Sequence, residues 1–139
     1  MVAKLVTWSV TLSAIAALSF VGGAGQGPAD EPGESLERML VAMANREYED
    51  ACRLTAQDGV PVDGDALTEC VRTMRVYAEG LRPGAIQVLR QASVPDVPAK
   101  GTHVEIPGER IAGITQPFDE GFFELVRIDD RWYVVVTTS

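Results

Sequence analysis

The sequence has one histidine and two cysteines, and its only lysines are Lys4 and Lys100. A single histidine excludes multi-histidine metal sites. It leaves one imidazole, His103, as a potential base, with Glu105 two positions along the same strand as the acid that could pair with it. No Gly-x-Ser-x-Gly elbow occurs, so the usual serine-hydrolase signature is missing. The folded part has no glycine-rich phosphate loop and no Cys/His zinc spacing. Asp129-Asp130 reads as a turn rather than as a pair of metal ligands. No catalytic residue, metal site or cofactor is assigned. There is also no basic run, and the net charge is −8. Binding to nucleic acid or anionic lipid relies on cationic side chains meeting phosphate, so this balance argues against both. The acidic excess is an ordinary solubility device.

What is present begins with a leader. Met1–Lys4 carries one positive charge, Leu5–Val21 is an apolar run, and Gly22-Gly23-Ala24 offers small residues for signal-peptidase cleavage. That order is the secretory signature. Two readings stay open for residues 1–24: a cleaved signal peptide, or an N-terminal membrane anchor through residues 5–21, a length near the lower limit for a span. Both place the domain outside the cytoplasm, secreted or tethered at the envelope. Residues 25–34, rich in Gly, Pro and acid, read as a flexible linker. Residues 35–139 have room for one domain.

Cys52 and Cys70 are the only cysteines. An even number in an exported chain reads as a disulfide. Free core thiols are the alternative, and the absence of Cys-x-x-Cys disfavours a redox pair.

The periodicity predicts a helix capped by Ser35 and running to about Asn45, with Leu36, Met39, Leu40 and Met43 on one face. A second helix is expected from Glu47 to about Gln57. A third, capped by Asp63 or Asp65 and stopped near Gly80, carries Leu67, Cys70, Val71, Met74, Ala78 and Leu81 as a core stripe. Beyond Pro83-Gly84 the pattern alternates. Strands are expected over Ala85–Val94, Gly101–Ile106, Phe122–Ile128 and Trp132–Thr137, the last two joined as a hairpin at Asp129-Asp130. Helices followed by strands give an α+β domain: three N-terminal helices on one face of a curved antiparallel sheet of about four strands.

Two segments carry a family resemblance. One is Ala44-Asn45-Arg46-Glu47-Tyr48-Glu49-Asp50-Ala51-Cys52-Arg53-Leu54. The other is Phe123-Glu124-Leu125-Val126-Arg127-Ile128-Asp129-Asp130-Arg131-Trp132-Tyr133-Val134-Val135. Together they resemble exported members of the nuclear transport factor two-like superfamily, whose cone-shaped α+β fold is shared with ketosteroid isomerases. The resemblance extends over about residues 35–137. It implies helices against the Trp132 face of the sheet and a cone whose interior could hold a small apolar molecule, with Met74, Tyr77, Phe123 and Trp132 as candidate lining. The isomerases' catalytic roles have no matching residues here. One departure is Asp130, where such hairpins usually carry Gly, so a slightly irregular turn is expected.

Both faces of the terminal hairpin are apolar. Phe123, Leu125, Trp132, Val134 and Val136 share one face; Phe122, Val126, Ile128, Tyr133 and Val135 share the other. One helical layer covers only one face. The second face needs cover from Ile111–Phe118, or it is an interface with a second copy or an envelope protein. The expectation is therefore an exported, non-catalytic interaction domain, with a binder of a small apolar ligand as the alternative and a cone-pocket enzyme as the remaining one.

Overall fold

The computed structural model describes residues 27–136. The expected leader, its expected cleavage site and the first residues of the expected linker lie outside the described residues.

The first helix, α1 (Pro32–Ala44), starts earlier than the sequence suggests. Glu31 is its extended N-cap, and Pro32 occupies the first turn, where its missing N–H costs nothing. Ser35 is not the cap. Its buried hydroxyl accepts the Ala29 N–H at 2.8 Å. Ala29 is itself buried, and its carbonyl accepts the Trp132 N–H at 3.0 Å. The segment read as a flexible linker is therefore part of the domain from Ala29 onward. Leu36, Met39, Leu40 and Met43 are buried, as their spacing requires.

α1 ends in a two-bond cap. The N–H of Arg46 bonds to Met43 O and that of Glu47 to Ala42 O, with Arg46 at φ 62°. This is the Schellman arrangement, whose left-handed position usually belongs to glycine.

The second helix, α2, covers only Tyr48–Cys52. The helix expected to reach Gln57 gives way to a strand, β1 (Thr55–Gln57), followed by β2 (Val60–Pro61). Asp58 and Gly59 turn the chain between them with φ 54° and 77°. Those angles belong to a two-residue hairpin turn, and Asp-Gly is among its strongest signals. Read as loop residues, they conceal the hairpin.

α3 (Gly64–Glu79) runs from its Asp63 cap to Gly80, in line with its stripe and stop signal. The segment Ala85–Val94 is not a strand. Gln87–Gln91 forms a 3-10 turn, and Ile86, Leu89 and Ala92 are buried. Their spacing of three matches three residues per turn, so the apparent alternation was the wrong period.

Three strands follow: β3 (His103–Pro107), β4 (Phe122–Ile128) and β5 (Arg131–Val135). The β4–β5 hairpin has the expected register, Leu125 opposite Val134 and Arg127 opposite Trp132. Asp129 and Asp130 both adopt positive φ, 50° and 64°, so the turn is regular despite lacking glycine.

The sheet order is β2-β1-β5-β4-β3. β1 runs parallel to β5, with Thr55 beside Val134 and Ala56 beside Val135. The domain is thus α+β with three helices and a five-stranded mixed sheet. The expected four-stranded antiparallel sheet lacked β1 and β2, and α3 follows these strands rather than preceding the whole sheet. Leu36, Leu40, Leu54, Leu89, Ile106, Leu125 and Trp132 form the centre of the core between α1 and the inner face of the sheet.

A disulfide joins Cys52 to Cys70, with Cα atoms 6.0 Å apart. It ties α2 to α3, and such bonds persist in oxidising, extracytoplasmic compartments. Among the described residues, no helix is long and apolar enough to cross a membrane.

Candidate binding groove

α3 has an unusual position. Its apolar stripe was expected to be core. Yet Leu67, Cys70, Val71, Met74 and Leu81 are only half-buried, and Ala78 alone in the helix is fully buried. Among the described residues α3 packs chiefly against α2, to which the disulfide also binds it, rather than lying flat on the sheet. Part of the α3 face is left unpacked against the sheet.

The space left is a groove of about 730 Å³, within the usual range for small-molecule pockets. Ala66, Cys70, Thr73, Met74 and Tyr77 line it from one face of α3, at helical spacing. Met43 closes it from the end of α1; Gln57, Val62 and Val136 close it from the sheet side. The disulfide is therefore both staple and wall.

The rim is acidic. Asp65 and Glu69 stand on α3 at the groove, and no Arg, Lys or His lines it. The Arg72 guanidinium donates to both carboxylate oxygens of Glu69, which offsets that charge. Asp65 carries the local negative potential. Tyr77 stands at the mouth, 47% exposed, edge-on to the Phe118 ring with centroids 6.4 Å apart. The lining can hold an apolar body and offers a hydroxyl, an amide and a carboxylate to a polar end.

Of the four residues expected to line a cone pocket, the structure brings Met74 and Tyr77 to this groove. Trp132 is not there: it is 2% exposed and filled in by the core. Phe123 is half-buried against the same core and also lies outside the groove. Gln57 and Val62 were missed because the β1–β2 hairpin was missed; Asp58-Gly59 was the signal that could have found them.

The second sheet face is as apolar as its alternation implied. Phe122 is 59% exposed, and Val126, Ile128, Tyr133 and Val135 are half-buried. Ile111 and Phe118 belong to the inner core cluster, so they do not cover this face as expected. His103 lies here too. Its Nε2 is 3.2 Å from Glu124 on the neighbouring strand. The acid beside it in space is thus Glu124 rather than Glu105, and both groups are solvent-accessible. Glu105 stands directly opposite Glu124 in the β3–β4 register. No cluster of three or more His, Cys, Asp or Glu that could hold a metal occurs among the described residues.

Fold and groove together define a disulfide-stapled α+β domain with an open apolar cleft under its third helix. Comparison of the chain with protein-family models, with curated proteins and with solved structures finds no match.

Proposed function

We propose that this chain is an exported, non-catalytic binding domain, a divergent relative of the nuclear transport factor two-like superfamily, and that it holds a small apolar ligand in the groove beneath α3. The observation that carries this reading is the stripe of half-buried Cys70 and Met74 and exposed Tyr77, which faces a cleft instead of a packed sheet. Leaving such surface open to water forfeits about 25 cal/mol for each Å² of apolar area not buried. A bound apolar molecule recovers that term. The acidic rim favours a neutral or cationic ligand over an anionic one. The groove's carboxylates, Asp65 and Glu69, are exposed and face no base in its lining, which supports binding over catalysis.

The test is native mass spectrometry of the exported protein purified without detergent. A species heavier than the chain, returning to the chain mass in organic solvent, is expected. A chain that is ligand-free and takes up no neutral apolar probe sinks the reading.

A second reading rests on Phe122. With Val126, Ile128, Tyr133 and Val135 it makes an apolar outer sheet face suited to a second copy or an envelope protein. Light scattering coupled to size exclusion separates the cases. A dimer that Phe122→Asp converts to monomer supports self-association, and a wild-type monomer at high concentration removes it.

A further inference from the structure

On the far side of α3 from the groove lies a smaller cleft of about 390 Å³, lined by Arg46, Tyr48, Arg75, Ala78, Glu79 and Ile86. Two arginines line it in a chain whose net charge is −8. Five of the other arginines, Arg38, Arg53, Arg72, Arg127 and Arg131, each pair with a carboxylate. Among the described residues, neither Arg46 nor Arg75 has such a partner. Glu79 lines the same cleft but forms an ion pair with neither.

Arg75 is held in place. The Arg75 guanidinium lies over the buried Tyr48 ring, 5.7 Å from its centroid, a cation–π contact that fixes the head group without neutralising it. Arg46 has its backbone set at the left-handed position of the α1 cap, which starts its exposed side chain at the cleft. An L-residue there is disfavoured relative to glycine, so the chain accepts a less stable cap and gains a guanidinium at the cleft. Arg90, bonded through Nε to Asn45 at 2.9 Å, adds positive charge next to that cap. The buried residues Ala78 and Ile86 supply apolar wall, beside which the charges are less screened.

We propose that this cleft is a binding site for a small organic oxyanion, its carboxylate or phosphate group held between Arg46 and Arg75 and its apolar part against Ala78 and Ile86. Guanidinium groups suit both oxyanions because their planar forks donate paired hydrogen bonds. The site is separate from the groove and does not depend on the groove's function.

The test follows the arginine Nε–Hε resonances of the disulfide-bonded protein, titrated with inorganic phosphate and, separately, with benzoate at about 0.15 M ionic strength, where long-range charge effects are screened. Saturable shifts at Arg46 and Arg75 are expected in at least one titration, with Kd below about 10 mM, and little change at Arg82 and Arg110. The arm that saturates first identifies the preferred oxyanion. Arg46→Gly and Arg75→Gln each weaken binding at least tenfold. Arg46→Gly also unfolds at a higher temperature than wild type, because glycine suits the cap, so its lost binding is not a loss of fold. Shifts that rise linearly in both titrations, that are shared by all arginines, or that persist in Arg46→Gly overturn the proposal.

Discussion

Replacing Cys52 and Cys70 together by alanine opens a loop closed across 18 positions. Chain-entropy reasoning gives the bond a stabilisation of about 3 kcal/mol for a loop of this length. For a domain whose total stability is about 5–15 kcal/mol, the thermal midpoint should fall by roughly 10–15 °C. The structure adds a spatial prediction. α3 is joined to the body mainly through α2 and this bond, whereas β4 and β5 are held by a continuous ladder. Hydrogen exchange of the double variant should therefore show α3 amides such as Val71 and Met74 losing protection well before Leu125 and Val134. Equilibrium unfolding and amide exchange of the two proteins measure both effects. A stability loss under about 1 kcal/mol, or equal loss of protection in α3 and the sheet, would refute the view of the disulfide as the tether of α3.

Trp132→Ala empties the centre of the core and should cost about 3–5 kcal/mol, measured by denaturant unfolding; a mild effect would contradict its placement in the core. Asp130→Gly should raise stability by about 0.5 kcal/mol, because glycine suits the second left-handed position of the hairpin and the exposed Arg127–Asp130 pair it removes contributes little. Ser35→Ala leaves the buried Ala29 N–H without its acceptor and should cost about 1–2 kcal/mol. Exported material should begin near Gly25 by intact mass; retention of Met1–Ala24 would mean the leader serves as an anchor.

The β4–β5 hairpin was legible in its pairing and register, because a one-residue slip would turn Leu125 and Val134 out of the core, although its second strand starts at Arg131 and ends at Val135 and its turn is regular. α3 was legible from its caps and stripe. What failed had two causes. Thr55-Ala56-Gln57 continues the polarity of α2, and nothing local reveals that its partner is β5, far along the chain. Ile86, Leu89 and Ala92 fit a three-residue period that a short window confuses with alternation. The groove was half legible: its α3 residues follow from the stripe, but periodicity cannot say that the stripe faces a gap. The pairing of Arg46 with Arg75 was illegible for the same reason, since composition showed no basic run and only packing brings the two together.

The central claim is that the cleft under α3 is a binding groove, and the methionines test it directly. Met43 and Met74 line it, while Met39 is buried outside its lining. With methyl-labelled methionine, the neutral probe N-phenyl-1-naphthylamine should shift the Met43 and Met74 ε-methyl signals saturably and leave Met39 in place. Ala66→Arg, which puts a long charged side chain into the groove, should abolish the response. Methyl signals unmoved by the probe, or moved alike at all three methionines, would contradict the account.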